Sequence, residues 1–143
     1  MTKKKGKAKS QPKARVKHVR WRDLHYEKLN PLLHRQFVVG QDVMLAHIRL
    51  LTGCVVPKHS HYHEQISYVM EGRLKFWVGR RQIIVHAGEV LAIPPHVPHK
   101  VEALRDSLSL DIFTPPREDW INKTDQYLRE EPKDSTKPAR KAA

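Results

Sequence analysis

Two histidines in alternation, His59 and His61, are followed four residues later by Gln65 in the segment GCVVPKHSHYHEQISYVMEG, which a glycine closes at each end (Gly53 and Gly72). Apolar residues lead in (Val55, Val56) and lead out (Ile66, Tyr68, Val69, Met70), so the segment reads as two strands joined by a bend. Residues of equal parity on an extended backbone point to one face. His59, His61 and Gln65 therefore project into one space, with the bend setting Gln65 at an angle. Two imidazoles and an amide oxygen aimed at one point form a donor set for a divalent metal. The candidate for a fourth ligand is His99, at the end of a stiff loop carrying Pro94, Pro95 and Pro98. Glu64 is the rival third ligand, though of opposite parity to His61. His96 shares the loop of His99 and reads as a rim residue. His63 reads as a neighbour of the ligands or a solvent-facing side chain, and His47 and His86 as structural or surface residues.

Three neutral imidazoles and a neutral amide leave the metal's charge uncompensated. Such an ion is a stronger Lewis acid and favours an anionic ligand in its open positions. The set suits Fe, Mn, Ni, Cu or Zn without selecting among them. A second constellation lies in LDIFTPPREDW, residues 110–120. Asp111 and Phe113 share a strand face, and Pro115-Pro116 turns the chain to bring Arg117 near. On a cavity wall these supply a base, an apolar surface and a carboxylate clamp. The plainer alternative is an Asp–Arg ion pair that locks a strand end.

The first segment resembles the first motif of the cupins: glycine, five residues, H-x-H, three or four residues, Glu, six residues, glycine. Gln65 stands in place of the Glu, and the spacing favours position 65 over Glu64. Gly88, Pro94 and His99 are similar to the second cupin motif, with His96 at its glycine position and Ala103 at its asparagine position. The resemblance covers roughly residues 37–117. It implies an all-β fold, the cupin double-stranded β-helix or jelly-roll barrel, with one divalent transition metal on His59, His61, Gln65 and His99. Residues 111, 113 and 117 together with Gln65 further resemble small bacterial cupins that linearise unsaturated uronates. That likeness implies Asp111 as the catalytic acid/base, with Phe113 and Arg117 binding a small anionic substrate. The expected function is a metal-dependent isomerase or lyase on a uronate or keto-acid. The alternatives are a non-enzymatic cupin that binds or senses a sugar or anion, and a dioxygenase-like oxidoreductase.

The elements that must hold these residues are short and punctuated by Gly and Pro. Strands are expected at Leu33–Val39, Val43–Leu50, Val55–His61, Gln65–Met70, Arg73–Val78, Ile83–Val85, Val90–Ile93, Lys100–Ala103 and Leu108–Phe113. Helix is expected only at Leu24–Leu29 and Glu118–Arg129. Of the formal charge of +12, residues 1–20 contribute nine basic groups and no acid, while residues 21–131 balance. The expected organisation is thus a disordered basic tail at 1–20, a cupin domain at 21–131 and a second basic tail at 132–143. The tails imply weak, nonspecific nucleic-acid binding. The lone Cys54 excludes an internal disulfide and reads as a small buried hydrophobe. The absence of a long apolar run and of a secretion signal points to a cytoplasmic protein without membrane contact. Strands 33–39 and 43–50 carry apolar residues of both parities, more than one core face needs, which implies a homodimer.

Overall fold

The computed structural model describes residues 15–129. The two expected tails lie outside the described residues, apart from residues 15–20. Among the described residues there are ten strands: β1 (Glu27–Asn30), β2 (Leu33–Val39), β3 (Met44–Leu50), β4 (Val55–His59), β5 (Glu64–Glu71), β6 (Arg73–Val78), β7 (Arg81–His86), β8 (Val90–Ile93), β9 (His99–Ala103) and β10 (Ser107–Thr114). They form two antiparallel sheets, β1-β2-β3-β10-β5-β8 and β4-β9-β6-β7. The period-2 pattern dictates which faces meet. Met44, Ala46, Ile48 and Leu50 of β3 point inward, as do His99, Val101 and Ala103 of β9. Leu33, Met44, Val69, Leu74, Phe76, Ile93 and Phe113 are each at most 2% exposed. Full burial of side chains this size stabilises by about 1.5–3 kcal/mol apiece.

The opposite face of the larger sheet is apolar too. Val38, Leu45, Ile112, Ile66 and Ala92 stand in one cross-strand row. Leu110, Tyr68 and Val90 continue the next row beyond His47, and Trp21 stacks on His47 at 3.8 Å.

Gly72 makes the tight link between β5 and β6 at φ +90°. A Cβ there would overlap Ser107 Oγ and the Asp106 carbonyl oxygen and lie 2.7 Å from Ser107 Cα. His96, at the glycine position of the second motif, also has a positive φ of 67°. That conformation explains the motif's glycine, since a side chain adopts it at a cost.

The expected helix at Leu24–Leu29 is instead a 3₁₀ turn at Trp21–Asp23 followed by β1. Leu29 is buried, Glu27 meets Arg35 of β2, and Asn30 Oδ1 accepts from Leu32 N to turn the chain before a helix could propagate. The expected helix Glu118–Arg129 is two single turns, α1 (Glu118–Ile121) and α2 (Gln126–Arg129). Lys123, at φ 58°, breaks it between them. β4 ends at His59 rather than His61, and β7 runs two residues further at its start than Ile83 and one beyond Val85.

This C-terminal strap is tied down by a buried ion cluster. Arg35, with its side chain fully enclosed, donates to Asp125 Oδ2 at 2.7 Å and to Glu27 Oε1 at 3.0 Å. Arg129 donates to the remaining oxygens, Glu27 Oε2 at 2.7 Å and Asp125 Oδ1 at 2.9 Å. Trp120 lies over the Arg35 guanidinium at 4.3 Å. The strap therefore lies across the end of the barrel where the conspicuous histidines gather.

Candidate metal centre

The ladder itself brings two histidines together. His59 ends β4 and His99 begins β9, and the two are cross-strand partners with ring centroids 4.3 Å apart. His61 sits in the bend after β4, pinned where His96 N donates to its carbonyl at 2.7 Å. Gln65 enters from the other sheet, on β5 opposite Phe113 and Ile93. Ligand atoms of His59, His61 and His99 all lie within 4.8 Å of one another.

Each of these rings is oriented by a backbone carbonyl. Nδ1 of His59 donates to Pro57 O at 2.8 Å, that of His61 to His63 O at 3.1 Å, and that of His99 to Val97 O at 2.9 Å. A carbonyl only accepts, so Nδ1 carries the proton and every Nε2 presents a lone pair to the centre. Burial and the neighbouring His99 hold His59 down at about 3. Burial and Arg117 hold His61 at about 4, and burial lowers His99. All three rings are therefore neutral at pH 7, as metal ligation requires.

Gln65 is 5% exposed. Its amide nitrogen donates to Ser67 Oγ at 3.0 Å, which turns Oε1 toward His61 Nε2 at 3.2 Å. Two lone pairs then face each other, while the buried Nε2 of His99 has no partner among the described residues. Acceptors converging on one point without a proton among them are a cation site, so the residues fit a divalent metal.

Glu64 is exposed and points away. His96 is exposed on its loop, and His86 is a surface partner of Glu89. His63, expected beside the ligands or facing solvent, is 4% exposed and covered by Tyr62 at 4.2 Å.

Two spaces adjoin the histidines. An inner cavity of about 50 Å³ runs between the sheets, bordered by His59, Gln65, His99, Asp111, Phe113 and Arg117. It has room for a water or two, each needing at least about 10–15 Å³ on this measure. Asp111 is half-buried and borders this cavity. Its carboxylate accepts from Ser109 Oγ at 2.7 Å, and burial pushes its pKa up against hydrogen bonds from Ser109 and Ser67. Phe113 is 1% exposed, with the Arg117 guanidinium 5.0 Å over its ring and Trp120 edge-on. It is a packing partner here rather than an open stacking surface.

An outer pocket of about 490 Å³ lies beyond, lined by His59, His61, His63, Arg117, Asp119 and Tyr127 among others. Arg117 stands between the two spaces. Its Nε donates to Asp119 Oδ1 at 3.0 Å, and its Nη2 to Asp119 Oδ2 at 2.8 Å and to Tyr127 OH at 2.7 Å. The sequence reading missed Asp119, Tyr127 and the serines. Asp119 follows Arg117 by two residues, which was a readable signal. Tyr127 meets His59 at 4.8 Å only through the strap's fold.

Cys54 is buried, and burial pushes its thiol up to about 12, so it is an inert core residue. Among the described residues no helix is long and apolar enough to cross a membrane.

The cupin domain family model matches residues 46–113. An uncharacterized protein of Methanocaldococcus jannaschii is 32% identical over 89 residues, covering 54% of this chain and 71% of that one. Among solved structures, an RmlC-like cupin of Shewanella frigidimarina superposes with a TM-score of 0.70 at 28% identity, covering 75% of this chain and 97% of that one. KdgF of a Halomonas species gives 0.66 at 27% identity, covering 69% and 93%. The fold alone is shared with the Mn(II)-containing oxalate decarboxylase of Bacillus subtilis, at a TM-score of 0.59 and 20% identity over 71% of this chain and 32% of that one. With its paired sheets, its three converging imidazoles and these relatives, the chain belongs to the cupin family and is built to hold one divalent transition metal.

Proposed function

We propose that this cupin is a metal-dependent isomerase that opens the ring of a small unsaturated uronate or a related keto-acid, with Gln65 completing the ligand set of His59, His61 and His99. The observation that carries this reading is Asp111, a carboxylate raised by burial on the wall of the cavity that His59, Gln65 and His99 also border. The likeness of residues 65, 111, 113 and 117 to the uronate-linearising cupins supports the same substrate class.

Opening a hemiacetal removes the hydroxyl proton at the anomeric carbon, forms the carbonyl there and breaks the ring C–O bond. The proton is then delivered to the atom that the broken bond frees, so atoms balance without a co-reactant. A divalent metal, when bound, supplies Lewis-acid stabilisation of the oxygen that gains charge. Asp111 takes the hydroxyl proton through a water of the inner cavity, which has room for one, and returns it by the same route. Burial raises its pKa above the usual carboxylate value, which favours holding the proton between the two transfers. Ser67 and Ser109 hold the carboxylate in place, and Ser67 also orients Gln65. The substrate enters by the outer pocket, since the inner cavity is too small for a sugar, and Arg117 holds its carboxylate. The neutral amide of Gln65 adds no repulsion toward an anion.

The test is a screen of unsaturated uronates with the metal-loaded protein, following ring opening by NMR. Asp111→Asn should keep metal and fold yet lose about 10²–10⁴-fold in rate. Full activity in that variant refutes the assignment. We further propose a homodimer formed through the apolar outer face of the larger sheet, where the rows Val38–Ala92 and Leu110–Val90 lie.

A further inference from the structure

Arg117 is the cation that this site offers a carboxylate, yet its fork is already filled. Asp119 binds it through two parallel hydrogen bonds, at 3.0 and 2.8 Å, the geometry a ligand carboxylate would adopt. The Arg117 side chain is 3% exposed and that of Asp119 31% exposed, so Asp119 covers the fork from the outer pocket. With Glu118 beside it on the pocket wall, two carboxylates face any incoming anion.

Next to this pair is a side chain with unused capacity. His63 is 4% exposed, lines the same pocket, and finds among the described residues no hydrogen-bond partner for either ring nitrogen. The Pro116 carbonyl lies close but outside hydrogen-bond geometry. His63 and Asp119 are near enough to influence each other electrostatically. A neutral imidazole has one N–H to donate, and burying it unpaired is costly.

We propose that Asp119 is a built-in competitor for carboxylate ligands, which yields the Arg117 fork to the incoming carboxylate and moves to the ring N–H of His63. Asp119 thereby sets the affinity and selectivity of the site. Only a ligand that replaces both hydrogen bonds gains entry, and a neutral or monodentate group leaves Arg117 with its internal partner. This rests on the reading of Arg117 as the carboxylate clamp.

The experiment is calorimetric titration of the metal-loaded full chain with sodium acetate, against acetamide and matched sodium chloride. Asp119→Asn should raise acetate affinity about tenfold or more, the usual worth of a charge-assisted contact no longer contested, and leave acetamide unchanged. The gain should vanish when Arg117→Gln is added to Asp119→Asn. His63→Leu should weaken acetate binding in the otherwise unaltered chain but not in the Asp119→Asn background. In Asp119→Ala, acetate should also restore lost thermal stability where chloride does not, which covers the case that the Asn variant folds poorly. If Arg117→Gln alone weakens acetate while Asp119→Asn brings no gain, Arg117 remains the clamp and the competitor proposal is overturned. If neither variant changes acetate binding, the clamp and the proposal fall together.

Discussion

Replacing Arg35 with Met removes the centre of the ion cluster while keeping most of the aliphatic volume. Asp125, with no exposed side-chain surface, and Glu27, at 11%, would then share Arg129, whose side chain is 23% exposed. Breaking a buried pair on one side typically costs about 3–5 kcal/mol, because the stranded charge stays buried. Against a domain stability of about 5–15 kcal/mol this is a large loss. With a urea dependence of about 2 kcal/mol per molar, the midpoint should fall by about 2 M. The pH dependence gives an independent check. Burial alone would raise Glu27, but hydrogen bonds from Arg129 and Arg35 and the charge of Arg35 outweigh it and hold the carboxyl at about 2 rather than 4.5. A carboxyl so depressed contributes about 3 kcal/mol above its unfolded value, and that contribution is lost as pH falls from 4.5 toward 2. Arg35→Met should lower this contribution at neutral pH, so the gap between the two proteins should narrow through the same window. Urea titrations monitored by tryptophan fluorescence at pH 7, 4.5 and 3 measure both effects. A loss under about 1 kcal/mol at pH 7, or a gap that acid does not narrow, refutes the reasoning.

Gly72→Ala should destabilise by more than about 1 kcal/mol, since the new Cβ meets Ser107 and the Asp106 carbonyl at a positive φ; unchanged urea melts would contradict the overlap. A divalent transition metal at 100 times its Kd should stabilise by about 2.7 kcal/mol, reversed by EDTA and abolished in a His59→Ala, His99→Ala double variant; equal stabilisation of that variant would relocate the site. Sedimentation should give twice the 16.7 kDa chain mass, and Leu110→Asp, in the apolar outer row, should shift it to one. Deleting residues 1–18 should remove binding to nucleic acid at low salt without altering metal content, as counterion release by clustered lysines predicts; equal binding by the truncated chain would place the interaction elsewhere.

The strand pattern was legible because it rests on local signals. Leu33–Val39, Arg73–Val78 and Val90–Ile93 are short apolar-rich runs bounded by turns, with Leu74, Phe76 and Val78 alternating on one face, and their ends coincide with the folded strands. Parity likewise placed Gln65 on the inner side and Glu64 outside, whereas His59 comes to face His99 through a register shift after Val56. The convergence of His99 with His59 required a long-range register, which the motif spacing carried and no local propensity could. The ends of the domain failed for the corresponding reason. Glu27–Asn30 and Glu118–Arg129 have helical composition, but their conformation is decided by the buried charges of Glu27 and Asp125 seeking Arg35 from another strand. Tertiary pairing overrides weak propensity in segments this short.

The same override links the strap to the chemistry. Arg35 holds Asp125, Asp125 and Arg129 hold α2, and α2 carries the Tyr127 hydroxyl that accepts from Arg117. Arg117 in turn packs on Phe113 and Trp120, and Trp120 returns to Arg35. The two arginines thus grip one Trp from opposite ends of a closed circuit, one arginine buried in structure and the other facing the pocket. A circuit of this kind keeps Arg117 fixed when its carboxylate partner changes, because Tyr127, Phe113 and Trp120 still define its position. Fixed donors cost no reorganisation when a ligand arrives, so exchange at the fork needs only Asp119 to move. The Arg35→Met variant should then weaken acetate binding in the Asp119→Asn background although residue 35 lies outside the outer pocket. Unaltered acetate affinity there would mean that the strap stabilises the fold without positioning the site.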